Sequence, residues 1–351
     1  MLSIKTATAK AMQNRDVAKQ IFLDEAGWGT AKRDLLAGDA SFRSYDRVEH
    51  NGSHAVLMDA PPPAEDVRPF VRMTYFLRDA GYSAPKILAK DEENGFLLLE
   101  DLGDASYTKL LQAQPQMEME LYNAAIDWLA DLHLQGYDLV PHDLPPYNEQ
   151  AYLREVALFS DWFLPQIHGV EKAKELREEW LSLWRTVLTR ANLDTSLPVH
   201  RDYHADNLLW LPEREGVKRV GVLDYQDALM GDAAYDMVSL LEDARRDVGE
   251  EVVLASISRY LQATGHNVEH FYTNFAILGA QRNAKIIGIF TRLCVRDGKP
   301  QYLSYLDRVW KHYLNNVQHP SLQMVSEWMD EYVPLKYRGV FVANTAIGAI
   351  E

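Results

Sequence analysis

The apolar positions of this chain change period several times along its length. In RDVAKQIFLDEAG, residues 15–27, they recur at helical spacing and stop at a glycine suited to end a helix. Two β-like runs follow, FRSYDRVEH at 42–50 and AVLMDA at 55–60, joined by Asn51-Gly52-Ser53. Asn-Gly between such runs predicts a tight hairpin. The glycine-containing segment LAGDAS precedes the first run. EDVRPFVRMTYFLRDAG reads as a helix, and PKILAKDEENGFLLLEDLG as two more strands around a second Asn-Gly turn. The pattern predicts a small antiparallel sheet with one helix in its connections.

From about Tyr107 the period becomes helical. MEMELYNAAIDWLADLHLQG, NEQAYLREVALFSDWFLPQIHG and EKAKELREEWLSLWRTVLTRAN are amphipathic helices. Residues 197–224 interrupt them with short apolar strands and two polar runs, and helices resume from Ala233 to Met329. The expected domains are a β-rich lobe at 1–103, a connector EDLGDAS at 100–106 and a helical lobe at 107–351. The tail VPLKYRGVFVANTAIGAIE is apolar enough to pack, on no element the pattern identifies.

Composition narrows the class. With 351 residues, 47% of them hydrophobic and 25% charged, the chain reads as a soluble protein of two domains. A net charge of -15 argues against nucleic acid as partner, because that affinity rests on Lys and Arg neutralising phosphates. The lone cysteine, Cys294, excludes an internal disulfide and reads as a buried thiol. No apolar stretch spans a bilayer: the best, FAILGAQRNAKIIGIF, carries Arg282 and Lys285. The N-terminus lacks the apolar core of a signal peptide, so the expected location is the cytoplasm.

The chemistry gathers in HRDYHADNLLW at 200–210 and GVLDYQDALMGD at 221–232. A zinc site through His200 and His204 is disfavoured, since Pro198 argues for a loop and no H-E-x-x-H arrangement is present. No G-x-S-x-G motif offers a serine nucleophile. Phosphoryl transfer fits better, because it needs a carboxylate to orient the attacking hydroxyl and oxygen ligands for magnesium. Asp202 and Asn207 in the first run, and Asp224 after the apolar VGVL, supply both. The bland alternative is a set of loop caps, since Asp and Asn favour turns regardless of function.

H-R-D-x-x-x-x-N resembles the catalytic loop of protein kinases. With the following LLW and VLDYQDALMGDAAYD it is similar to the aminoglycoside phosphotransferase and choline kinase branch. The resemblance implies an α+β, two-lobed protein-kinase-like fold using ATP and Mg2+. It implies that Asp202 is the catalytic carboxylate, that Asn207 and Asp224 bind magnesium, and that His200 supports the loop from behind. It also implies that Gly38, Asp39, Ala40, Ser41 and Phe42 lie over the phosphates, and that Glu100 and Leu102 sit in the connector whose backbone holds adenine. Other residues have two readings each. Asp227 is a second metal contact or a loop brace. Asp232 and Asp236 are helix caps or braces. His204 touches substrate or is solvated. Trp162 and Tyr203 stack on a sugar face or occupy core and rim positions.

Kinases place a lysine on the strand after the glycine-rich hairpin, paired with a helix glutamate. Here Met58 stands at that position and the next helix, DVRPFVRMTYFLRD, has no glutamate. Arg43 is the first candidate for the replacement cation, then Arg68 and Arg72. LAGDASFRSY followed by VLMDAPP without lysine is most similar to the bacterial anomeric sugar kinases of cell-wall recycling, which act on N-acetylmuramate and N-acetylglucosamine. The resemblance therefore implies a small-molecule sugar acceptor. A cationic aminoglycoside or choline acceptor is the alternative, and it would need carboxylates such as Glu155 and Asp161 to compensate its charge. A non-catalytic nucleotide-binding scaffold is a third reading. Oligomeric state is not legible in the sequence.

Overall fold

The computed structural model describes residues 15–38, 42–135 and 140–344. The expected hairpin is there. β2 (Ser44–His50) and β3 (Ser53–Asp59) pair antiparallel from His50↔Ser53 to Ser44↔Asp59. Asn51 and Gly52 close it with φ of 51° and 78°, the left-handed geometry that a two-residue type I′ turn requires. β4 (Ile87–Asp91) and β5 (Phe96–Glu100) complete the predicted strands.

One strand was not anticipated. β1 (Lys32–Gly38) pairs antiparallel with β2 and makes the sheet five-stranded, in the order β1-β2-β3-β5-β4. It is an edge strand with a register shift between Leu35 and Ala37. Leu35 and Leu36 are both exposed, so KRDLLAG lacks the alternation that marks a half-buried strand. α1 (residues 15–25) covers one face of the sheet. Its Phe22 and Leu23 pack with Val48, Ala55, Leu57, Phe96 and Leu98 in one buried cluster. α2 (Arg68–Asp79) follows β3 as predicted.

Residues divide into two compact units. The first holds residues 15–105 together with Leu209–Asp227; the second holds Ser106–Leu208 and residues 228–344. The segment carrying Asp224 therefore groups with the sheet, where the sequence pattern alone leaves it among the helices. Its anchors within that unit are specific. Ser83 bridges to Gly221 and donates its hydroxyl to the Lys218 carbonyl at 2.6 Å. Tyr225 is buried against Phe70 and shares a 2.7 Å hydrogen bond with Thr74 of α2.

The second unit is helical: α3 (Tyr107–Ala113), α4 (Glu118–Leu134), α5 (Glu149–Leu158), α6 (Leu164–His168), α7 (Val170–Ala191), α8 (Ala234–Leu241), α9 (Glu250–Thr264), α10 (Val268–Val295), α11 (Leu306–Asn316) and α12 (Gln323–Tyr332). The single helix expected over 148–169 is divided, with a π-turn at Phe159–Phe163 between α5 and α6. Here α10 approaches at backbone distance: a Cβ added to Gly288 would lie 2.3 Å from the Leu158 carbonyl. Cys294 is buried, as expected. The tail has a place as far as Asn344. Phe341 packs edge-on against Phe163, and the Asn344 N–H donates to the Gln166 side chain at 2.9 Å. Among the described residues no helix is long and apolar enough to cross a membrane.

Candidate active site

The first polar run starts from a pinned strand. β6 (Leu197–Val199) pairs antiparallel with β9 (Leu229–Gly231) in the helical unit. Directly after it Arg201 takes φ of 74°, a left-handed conformation that costs a non-glycine residue energy and persists only under external constraint. Asp236, in the first turn of α8, supplies the constraint. Its carboxylate accepts the His200 N–H at 2.6 Å and the Arg201 N–H at 2.8 Å. Burial raises the pKa of this carboxyl, against the lowering effect of His200 and the two N–H donors. Beyond the end of α8, Asp243 accepts the Ala205 N–H at 3.3 Å and the Arg245 N–H at 2.8 Å. Two carboxylates seven residues apart thus hold both ends of the loop by its backbone. Of the two readings for Asp236, the structure gives the brace.

Asp202 follows the strained residue, and its side chain is 41% exposed. Burial alone would raise its pKa, but Lys285, Arg282, His204 and Arg201 lower it, to about 2. Arg282 stands 4.0 Å away, itself buried and bonded to the Ser239 hydroxyl at 2.8 Å. The carboxylate is therefore ionised at neutral pH and exposed on one side. Asn207 ends the loop in a single 3-10 turn and donates its amide nitrogen to the Asp202 carbonyl at 2.9 Å. That bond fixes the amide so that its oxygen, a hard donor, is the end left for a ligand.

In the sheet-bearing unit, Asp224 takes φ of 61° at the end of β8 (Val220–Val222) and its loop. The Gln226 amide donates to Asp224 at 2.8 Å and reaches Asp227 at 3.5 Å. Asp227 is exposed, and this contact links it to the same loop. Among the described residues no three His, Cys, Asp or Glu side chains cluster as a metal cage. Magnesium does not need one, since it takes one or two protein oxygens together with phosphate and water. The donor chemistry of Asn207 and Asp224 fits that demand.

The connector is stapled from its own unit. Glu100 receives Arg78 at 3.3 Å, Arg214 at 2.9 Å and the Lys86 N–H at 3.0 Å. Arg47 of β2 holds Asp101 and Asp104 at 2.6 and 2.8 Å. The Glu100 side chain thus braces the connector. Leu102 packs toward Gly221. Gly38 pairs with Ser44 at the mouth of the β1–β2 hairpin, and Phe42 is exposed. Asp39, Ala40 and Ser41 lie outside the described residues.

Several expectations need correction. Tyr203 is fully buried, stacked on Trp128 at 5.2 Å, with its hydroxyl bonded to the Ala125 carbonyl. It is a core residue and presents no face to a sugar. His204 is buried, not solvated; burial first and then Arg245 drive its pKa well below normal, so it stays neutral. His200 is buried and meets the Tyr203 ring edge-on. Asp232 bonds the Ala234 and Asp194 N–H groups and the Asn274 amide, a brace rather than a simple cap. Trp162 is half-buried on the π-turn. Arg68 is exposed and paired with Asp66, which removes it as a replacement cation.

The acceptor-side carboxylates are not available either. Glu155 is buried and bonded by Lys285 at 2.8 Å, by Arg201 and by the Tyr147 hydroxyl. Burial would raise its pKa, but Lys285 and Arg201 lower it, to about 2. Asp161 is paired with Arg177 at 2.8 Å. Sequence reasoning missed Asp243 as a brace of the loop and Arg282 and Lys285 as cations acting on Asp202. The charged pair inside the otherwise apolar α10 was the one visible signal, since buried charges there require partners.

Comparison with known proteins identifies the family. A model of the phosphotransferase enzyme family matches residues 33–272. A Caulobacter vibrioides protein named N-acetylmuramate/N-acetylglucosamine kinase is 36% identical, over 92% of this chain and 98% of its own length. A Pseudomonas aeruginosa protein of the same name is 40% identical, over 88% and 91%. Among solved structures, a choline/ethanolamine kinase family protein from Mesorhizobium loti superposes with a TM-score of 0.58 at 15% identity, covering 90% of this chain and 99% of that one. The streptomycin–ATP complex of APH(2″)-IIa gives 0.56 at 16% identity, covering 86% and 96%. Shared fold at such low identity and shared sequence over nearly the whole chain lead to one assignment: this chain belongs to the phosphotransferase enzyme family.

Proposed function

We propose that the enzyme transfers the γ-phosphoryl group of ATP to the anomeric hydroxyl of N-acetylmuramate and N-acetylglucosamine in cell-wall recycling, in the cytoplasm. Asp202 accepts the hydrogen bond, and late in the reaction the proton, of the attacking hydroxyl. The hydroxyl oxygen bonds to the γ-phosphorus as the bond to the β-bridging oxygen breaks, leaving ADP. A carboxylate of pKa about 2 is a weak base. That suits phosphoryl transfer, whose loose transition state asks for orientation more than for proton abstraction. Asn207 and Asp224 are the oxygen ligands we assign to magnesium, which when bound would neutralise charge on the β- and γ-oxygens. The backbone from Glu100 to Leu102 is assigned to adenine, and Trp162 to the sugar.

One observation carries the choice of acceptor. Both carboxylates that would compensate a cationic acceptor, Glu155 and Asp161, are already paired with cations of their own unit. Arg282 and Lys285 further make the surroundings of Asp202 basic. A neutral or anionic amino sugar tolerates that field and an aminoglycoside does not. The names of the relatives at 35% to 40% identity support the same acceptor.

The test is ATP turnover against N-acetylmuramate, N-acetylglucosamine, kanamycin and choline, with the phosphorylated carbon located by NMR. Phosphate on C1 of either amino sugar is the expected result. Transfer to kanamycin with none to the amino sugars overturns the acceptor. Magnesium-dependent ATP binding with no transfer to any of the four would make the chain a nucleotide-binding scaffold.

A further inference from the structure

The lysine expected on β3 has no substitute on that strand. Met58 is buried and pairs across the sheet with Tyr45, and α2 carries no glutamate. Three other cations of the sheet-bearing unit are placed differently. Arg15 and Lys19 both hold Asp59, and Arg68 sits in solvent beside Asp66.

Arg43 differs from these. It lies two residues before Tyr45, and residues two apart on an extended chain share a face, so it follows the face on which Met58 and Tyr45 meet. Its Nε donates to Glu65 at 2.8 Å, and the Phe42 N–H donates to the other Glu65 oxygen at 3.2 Å. Both side chains of the pair are only 11% exposed. Glu65 is set by the turn before α2, where its N–H donates to the Pro61 carbonyl at 3.1 Å. One carboxylate therefore holds both the Arg43 guanidinium and the Phe42 N–H.

Withdrawing two ions from water costs several kcal/mol, and such pairs are often no more stabilising than apolar side chains of the same volume. Stability is thus a poor explanation for the pair. Charge placement is a better one. Glu65 takes Nε, and a guanidinium is in general the planar fork that matches phosphate oxygens in pairs. Burial would lower the pKa of Arg43, but Tyr45, Glu65 and Asp224 raise it. The cation thus lies within electrostatic range of a proposed magnesium ligand in the same unit.

We propose that Arg43, held by Glu65, is the cation that grips the nucleotide phosphates here. The lysine–glutamate pair of strand and helix is replaced by an arginine–glutamate pair of hairpin and β3–α2 turn. This rests on the phosphotransferase reading above.

The test uses the full chain with Arg43→Met, Arg43→Lys and Glu65→Gln. Binding of a non-hydrolysable ATP analogue with magnesium is compared with binding of AMP, alongside kcat and the KM for ATP. Arg43→Met is expected to weaken the triphosphate analogue at least about tenfold and AMP less than about threefold, since only the β- and γ-phosphates lose a charged partner. Arg43→Lys should recover part of the loss, and Glu65→Gln should fall between. Unchanged triphosphate affinity in Arg43→Met overturns the proposal, as does an equal loss for AMP or failure of all three variants to fold, which would make the pair structural. Wild-type chain that binds no triphosphate overturns the phosphotransferase reading as well, and is recognised without any variant.

Discussion

In the function proposed above the chemistry turns on Asp202, and its surroundings predict how a variant behaves. Asp202→Asn keeps the shape and removes the charge that Arg282 and Lys285 face. Nucleotide affinity should stay within about threefold while kcat drops by roughly two to four orders of magnitude, the usual worth of a positioned acid–base group. Equal turnover in the two proteins would contradict the role. Glu242 makes a second prediction, about stability. It is buried where α8 ends, and the amides of Asn283 and Asn316 donate to it at 2.7 and 2.8 Å. Burial outweighs those bonds and raises its pKa from 4.5 to about 7. Between those values the folded state holds a proton that the unfolded state has lost, so stability falls as pH rises through this window. Glu242→Gln should therefore unfold at higher temperature than wild type at pH 8. The gap should shrink at pH 5 by on the order of 1–3 kcal/mol. Melting curves of the two proteins at both values check it, and a constant gap would count against a raised pKa.

At the scale of elements, legibility followed periodicity. α1, α2, β2 to β5 and the long helices announced themselves through apolar runs or periods bounded by turn residues. β1 did not, because Leu35 and Leu36 both meet solvent on an edge. Asp202, Asn207 and Asp224 could be singled out as candidates because phosphoryl transfer calls for such oxygens. Asp243 and Glu65 could not, because their partners are backbone groups and an arginine that only the fold brings near. Tyr203 misled for the same reason: a polar run tells which residues gather and leaves open which way each ring points. The π-turn at Phe159–Phe163 also escaped the helical period, and it sits beside a close backbone contact between elements. Gly288→Ala would drive a methyl into the Leu158 carbonyl. Overpacking of this kind costs about 1–3 kcal/mol, more where backbone must shift. Urea unfolding should register a loss of about 2 kcal/mol or more, and a loss under ~0.5 kcal/mol would show that α10 and α5 separate freely.

The molecule as a whole carries -15, while the groups nearest Asp202 in its own unit are cationic. The two fields act on an anionic acceptor in opposite directions and over different ranges. At low ionic strength the screening length is about 30 Å, so the acidic surface repels an approaching carboxylate sugar from far out; at 0.1 M it is about 10 Å, and only the local cations are felt. N-acetylmuramate carries a carboxylate and N-acetylglucosamine carries none. Both meet the same site, so their ratio isolates the charge effect. With magnesium and ATP held saturating, kcat/KM for N-acetylmuramate relative to N-acetylglucosamine should rise about two- to threefold between about 0.01 M and 0.1 M salt. A falling ratio would mean that Arg282 and Lys285 dominate at every distance. It would relocate the acceptor carboxylate to their immediate neighbourhood, and substitution of Arg282 should then penalise N-acetylmuramate alone.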